Sequence, residues 1–201
     1  MNLEINILDI MDKLDDLRNK REEALSLSRQ IVGRCSVAIK SLHRGDYDSA
    51  AEELTAIKEE HARLKKIVMA YPLNLSKYLW TAEQEYAEAT FFVAILEERG
   101  FLSPEELNIE PLSYVLGMAD LIGEVNRLCL NKIREGKIEN LEKYLDQMQD
   151  VHDSLFLLDY PKGITRNLRP KLDAMRRVLE KLRSDISLAI YMDRITNKSN
   201  S

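Results

Sequence analysis

Four acids fall in apolar stretches where a helix pattern wants hydrocarbon. Glu85 and Glu88 are three apart and run into Phe91, Phe92, Val93, Ile95 and Leu96. Asp120 and Glu124 are four apart in YVLGMADLIGEVNRLCL, residues 114–130, where the only other charge is Arg127. Either spacing puts a pair on one face of a helix. Carboxylates buried side by side lose hydration and repel one another, which raises their pKa values. A divalent cation relieves both penalties. Oxygen donors alone suit a hard ion: Mg²⁺, Mn²⁺ or Ca²⁺. His43, His61 and His152 are the three histidines, and none follows a Glu by three residues in these segments. The Glu-x-x-His pattern of di-iron bundles is therefore missing. Gly117 and Gly123 flank Asp120. A mid-helix glycine costs up to ~1 kcal/mol against alanine, so two of them suggest a close approach by another backbone or a substrate.

Blander readings stand beside this one. Glu85 and Glu88 alone fit a solvated helix face, with Glu83 as a further member. Glu124 could pair with Arg127 one turn on. The two pairs together carry the metal reading further than either does alone.

Helices must position these acids. Few breakers, 7 Gly and 5 Pro in 201 residues, favour long ones. Residues 3–43 read as a first helix, with Leu14, Leu17, Leu25, Leu27, Ile31, Cys35, Ala38 and Leu42 at helical spacing. Gly45-Asp46 breaks it. The second helix runs to about Ala70, with Ala50, Leu54, Ile57, His61, Leu64 and Val68 inward. A third spans residues 75–98, capped by Asn74 or Ser76 and ended at Gly100. Ser103-Pro104 starts a short helix. Pro111 opens a fourth long helix that stops at Gly136. A fifth covers 138–158, Tyr160-Pro161-Lys162-Gly163 forms a loop, and the last helix covers 166–194. Period-2 alternation is not sustained anywhere, so the class is all-α. The expected organisation is a single domain over residues 1–195, with 196–201 a disordered tail.

Composition narrows the class. The net charge of −5 excludes a surface basic throughout but leaves room for a local basic face. No apolar run reaches a membrane span, and the N-terminus does not read as a signal peptide. Cys35 and Cys129 lie far apart in apolar helical patterns, as reduced thiols of a cytoplasmic protein do. On the first helix, Arg29, Gly33, Ser36 and Lys40 share a face, with Arg44 beyond and Arg18, Lys20 and Arg21 before. Such a face could track a phosphate backbone, although neighbouring acids balance it. A second cluster, Lys162, Arg166, Arg169, Lys171, Arg176 and Arg177, is equally well explained by solvation.

Three segments resemble the translin family, its catalytic Trax branch above all. They are SRQIVGRCSVAIKSLHRGD (residues 28–46), QEYAEA (84–89) and YVLGMADLIGEVNRLCLN (114–131), the last with a Gly-x-Ala-Asp-x-x-Gly-Glu core. The resemblance implies a bundle of about seven helices and a closed homo-octameric shell. It also implies a Mg²⁺-dependent endoribonuclease acting on single-stranded RNA, with Mn²⁺ as an alternative ion and single-stranded DNA as a further ligand. The matching catalytic and metal-holding acids are Glu85, Glu88 and Asp120, with Glu124 in support. The RNA-guiding cations expected are Arg21, Arg29, Lys40, Arg44 and Arg127. The chain lacks the long insertion of larger Trax proteins and so is similar to the compact archaeal form. Two other readings are a non-catalytic translin-like binder of single-stranded RNA or DNA, and an all-α nucleoside triphosphate pyrophosphohydrolase. The second rival normally spaces its later acid pair i, i+3, whereas Asp120 and Glu124 are i, i+4.

Overall fold

The computed structural model describes residues 3–199, and among these every regular element is helical. The helices are α1 (Leu3–His43), α2 (Tyr47–Ala70), α3 (Pro72–Leu96), α4 (Pro104–Leu107), α5 (Pro111–Arg134), α6 (Leu141–Phe156), α7 (Lys162–Thr165) and α8 (Leu168–Ser199). Six are long; α4 and α7 are single turns. That matches the all-α expectation and a count near seven.

The chain packs as two compact units, Met1–Tyr86 and Ala87–Ser201. In the first, α1 and α2 form an antiparallel hairpin. Gly45, at φ +77°, makes the turn, and the Asp46 carboxylate accepts from the Ser49 amide at 3.2 Å, capping α2. Such a cap is worth about 1 kcal/mol. Ile31, Cys35, Ala38 and Leu42 are buried on α1, and Ala50, Ile57, His61, Leu64 and Val68 on α2. The start of α3 joins this unit, where the Ser28 hydroxyl donates to the Tyr78 carbonyl at 2.8 Å. The first third of α1 differs. Ile7, Leu8, Ile10, Met11 and Leu14 are exposed, so Leu14 is not the core residue that its spacing suggests.

In the second unit α5 packs on α8, and α6 packs on both. Phe91 of α3 meets the rings of Phe101 and Tyr114 edge-on, at 5.1 and 4.8 Å between centroids. Ser103 makes a capping box with Glu106 ahead of α4. Cys35 and Cys129 are buried free thiols, and burial raises Cys129 to about 11.

Helix ends depart from expectation where proline reads only as a stop. Pro72 begins α3 directly, because the first helical position needs no N–H donor. The segment expected as a loop after Tyr160 holds the turn α7, started by Pro161. α8 runs on to Ser199, past the expected helix end at residue 194, and the last two residues of the expected tail, 200–201, lie outside the described residues. No described helix is long and apolar enough to cross a membrane.

Candidate functional site

α5 presents Asp120 and Glu124 one turn apart, both half-buried, on a helix otherwise packed through Leu116, Ala119, Leu121, Ile122, Val125 and Leu128. Each has a cation of the chain against it. The Lys171 ammonium, from the first turn of α8, donates to Asp120 Oδ1. The two side chains are 19% and 25% exposed, so water screens the pair only in part. Glu124 lies 3.7 Å from the more exposed Arg127, the i, i+3 pairing that its position permits. Gly123 does not mark a close approach within the chain: a methyl group there would meet open space.

The acids of α3 divide between the units. Glu88 belongs to the second and Glu85 to the end of the first, and both are half-buried. Glu83 is the buried one. Its carboxylate lies 3.0 Å from His61 Nε2, both side chains are almost fully enclosed, and Tyr86 packs beside the imidazole at 5.9 Å between centroids. A helix turns 100° per residue, so moving two residues from Glu83 to Glu85 turns the side chain to the other flank. Glu83 is therefore a core hydrogen-bonding group rather than part of a solvated face.

The donor chemistry of Glu85, Glu88, Asp120 and Glu124 suits a hard divalent ion. Their arrangement is not a finished cage: among the described residues, no three Asp, Glu, His or Cys side chains are gathered closely enough to hold an ion. Lys171 and Arg127 instead supply positive charge to the α5 acids. An ion bound there would have to displace or share with those cations.

The residues expected on one face of α1 lie at the surface. Arg29, Gly33, Ser36, Lys40 and Arg44 are all exposed, and Arg21 is exposed and paired with Glu22. Arg34 points the other way. It donates to Glu53 at 2.8 Å and to the buried Glu60 at 2.9 Å, and these bonds, Glu53's first, raise its pKa further. It thus holds α1 to α2 and is not a surface cation for RNA. Lys171 is the residue that sequence reasoning places wrongly. Its neighbours group it with solvated basic residues, yet it reaches across 51 positions to Asp120. Only tertiary packing of α5 on α8 reveals that.

Comparison with known proteins agrees with this architecture. The Translin family model matches residues 19–184. An uncharacterized protein of Methanocaldococcus jannaschii is 34% identical over 185 residues, covering 88% of this chain and 82% of the relative. Translin-associated protein X of Rattus norvegicus is 26% identical over 182 residues, 70% of this chain and 63% of the rat protein's length. The structure of an AfC3PO–duplex RNA complex superposes with a TM-score of 0.86 at 28% identity, covering 93% of this chain and 97% of that one. Crystalline apo-NeC3PO gives 0.83 at 24% identity, covering 92% and 97%, and supports the fold alone. With the helical order and the family match over most of its length in agreement, the chain belongs to the translin family.

Proposed function

We propose that this protein is a Trax-like, Mg²⁺-dependent endoribonuclease that hydrolyses phosphodiester bonds of single-stranded RNA inside a homo-octameric shell in the cytoplasm. The observation that carries the reading is the half-buried Asp120–Glu124 pair on α5, in a chain similar to Translin-associated protein X. Glu85, Glu88 and Asp120 would hold Mg²⁺, with Glu124 orienting a ligand or water. When bound, the ion would supply Lewis-acid polarisation of the phosphate and a more acidic water. The chain's own part is positioning. α5 fixes Asp120 and Glu124 one turn apart, and packing on α8 keeps their flank partly dry. Glu88 or Glu124 would accept the proton from the attacking water. Arg21, Arg29, Lys40 and Arg44 would guide the strand in the first unit, and Arg127 beside Glu124 in the second.

RNA as the ligand is supported by the similar AfC3PO, which was solved with duplex RNA. A second reading is a non-catalytic binder of single-stranded RNA or DNA. The cations already seated on Asp120 and Glu124 favour it, since acids neutralised by Lys and Arg have no need of a metal. A labelled single-stranded RNA incubated with and without Mg²⁺, using wild type and Asp120→Ala, separates the two. The nuclease reading expects internal cuts only with Mg²⁺ and only in wild type. Tight binding with no turnover would leave the binder.

A further inference from the structure

The turn between α6 and α8 carries features that the acid site does not use. A cleft of about 340 Å³ opens there, and Tyr160, Lys162, Arg166 and Arg169 are on its wall. Among the described residues that line it, Asp159 is the one acid, against three cations, on a chain whose net charge is −5. Two aromatic rings stand in the open beside it: Phe156 is 51% and Tyr160 59% exposed. The Arg169 guanidinium lies over the Phe156 ring, 4.9 Å from its centroid, so one wall already forms a flat cationic stack.

The backbone is held for this display. Arg166 sits at φ +53°, ψ −113°, a conformation suited to glycine, and its amide donates to the Lys162 carbonyl at 2.8 Å. A bulky residue kept in a strained conformation is common where a side chain must be aimed at a ligand. Arg169 is two residues before Lys171 on α8, about 3 Å of helical rise from the residue that holds Asp120.

From these observations we infer that the α6–α8 turn is a binding site for single-stranded RNA, outside the acid centre. A backbone phosphate sits in the cleft between Arg166, Arg169 and Lys162, and a neighbouring base stacks on Tyr160. Guanidinium groups hold a phosphate through paired, charge-assisted hydrogen bonds. Exposed aromatic faces beside it select an unpaired base, since a duplex keeps its bases stacked inside. The inference rests on the RNA-binding part of the function proposed above, not on catalysis. It gives the strand a second anchor, beside the helix that positions Lys171 on Asp120.

The test is fluorescence anisotropy of a short labelled oligouridylate on the full chain over a salt series. Arg166→Gly combined with Arg169→Gln removes two cations, the glycine suits the positive φ at position 166, and far-ultraviolet dichroism checks that the fold is kept. The expected result is at least about tenfold weaker binding and a log K against log salt slope flatter by about 0.7, for the one phosphate no longer neutralised. Tyr160→Ser is expected to weaken binding by about 5- to 160-fold, the range of one stacked base, with the slope unchanged. Unchanged affinity and slope in the cleft variants overturn the inference, even if wild type cleaves RNA. A shift of oligomeric state in those variants by light scattering also overturns it, because the turn is then an interface between copies. Binding through the cleft by a wild type that never cleaves with Mg²⁺ supports the site and sinks only the nuclease reading.

Discussion

Replacing Lys171 by Met removes the ammonium from Asp120 and keeps most of the stem that packs at the start of α8. The two side chains are 19% and 25% exposed, so the pair is worth less than a dry ion pair and more than a surface one. A hydrogen bond to a charged group contributes about 1.5–3 kcal/mol, and partial exposure places this one near the lower end, at about 1.5–2 kcal/mol. A divalent ion binding at Asp120 must overcome that interaction in wild type. The variant should therefore bind Mn²⁺ about 10- to 30-fold more tightly, at about 1.4 kcal/mol per tenfold. Calorimetric titration of both proteins, stripped first with chelator, measures this. The same variant should be less stable than wild type in chelator, by about the same 1.5–2 kcal/mol. Saturating Mn²⁺ should close that gap, since a ligand that binds only the native state stabilises it, and more so where it binds more tightly. Equal or weaker Mn²⁺ affinity in Lys171→Met would refute the reasoning that Lys171 occupies the ion's place.

Glu88→Ala and Asp120→Ala should each abolish Mg²⁺-dependent RNA cleavage on a gel while leaving the far-ultraviolet dichroism unchanged; activity retained in both variants removes the metal assignment. Glu83→Ala should destabilise the protein by about 1–3 kcal/mol in urea titration, because it leaves the buried His61 Nε2 without its hydrogen-bond partner. Glu85→Ala, only half-buried, should cost less than about 1 kcal/mol in the same assay. A rise in the Cys129 pKa from 9.0 to about 11 cuts its thiolate fraction near pH 8 about 100-fold. Folded protein should accordingly react with a disulfide reagent far more slowly than unfolded protein, and an equal rate would place Cys129 at the surface.

The helices are readable because their ends carry chemistry of their own. Gly45, Pro104, Pro111 and Gly136 each mark an end that the structure keeps, since a turn, a first helical position or a positive φ asks for that residue type. Tyr71-Pro72 and the segment after Tyr160 mislead for one reason: proline reads as a stop and acts there as a start. The acids of α5 stand out as charge in an apolar run. Their partners do not, because Lys171 is near Asp120 only through the packing of α8 on α5, and nothing local distinguishes it from Arg176 or Arg177. Glu83 and Glu85 show the same limit on a smaller scale. They have identical side chains two residues apart, and the rotation of α3 relative to its neighbours decides which becomes core.

The long first helix has a consequence for how this protein tolerates change. Between Ala24 and Leu42, one face of α1 is locked into a core, and an altered residue on that face disturbs packing on α2. From Ile7 to Leu14 its apolar side chains are open to solvent. A stretch of that length is marginal as a helix by itself and borrows its order from the anchored part. Substitutions in this end leave the hairpin core untouched, so the sequence there can drift or acquire a new binding role at almost no cost to the fold. One continuous helix thus joins a segment under tight constraint to one that is free to vary.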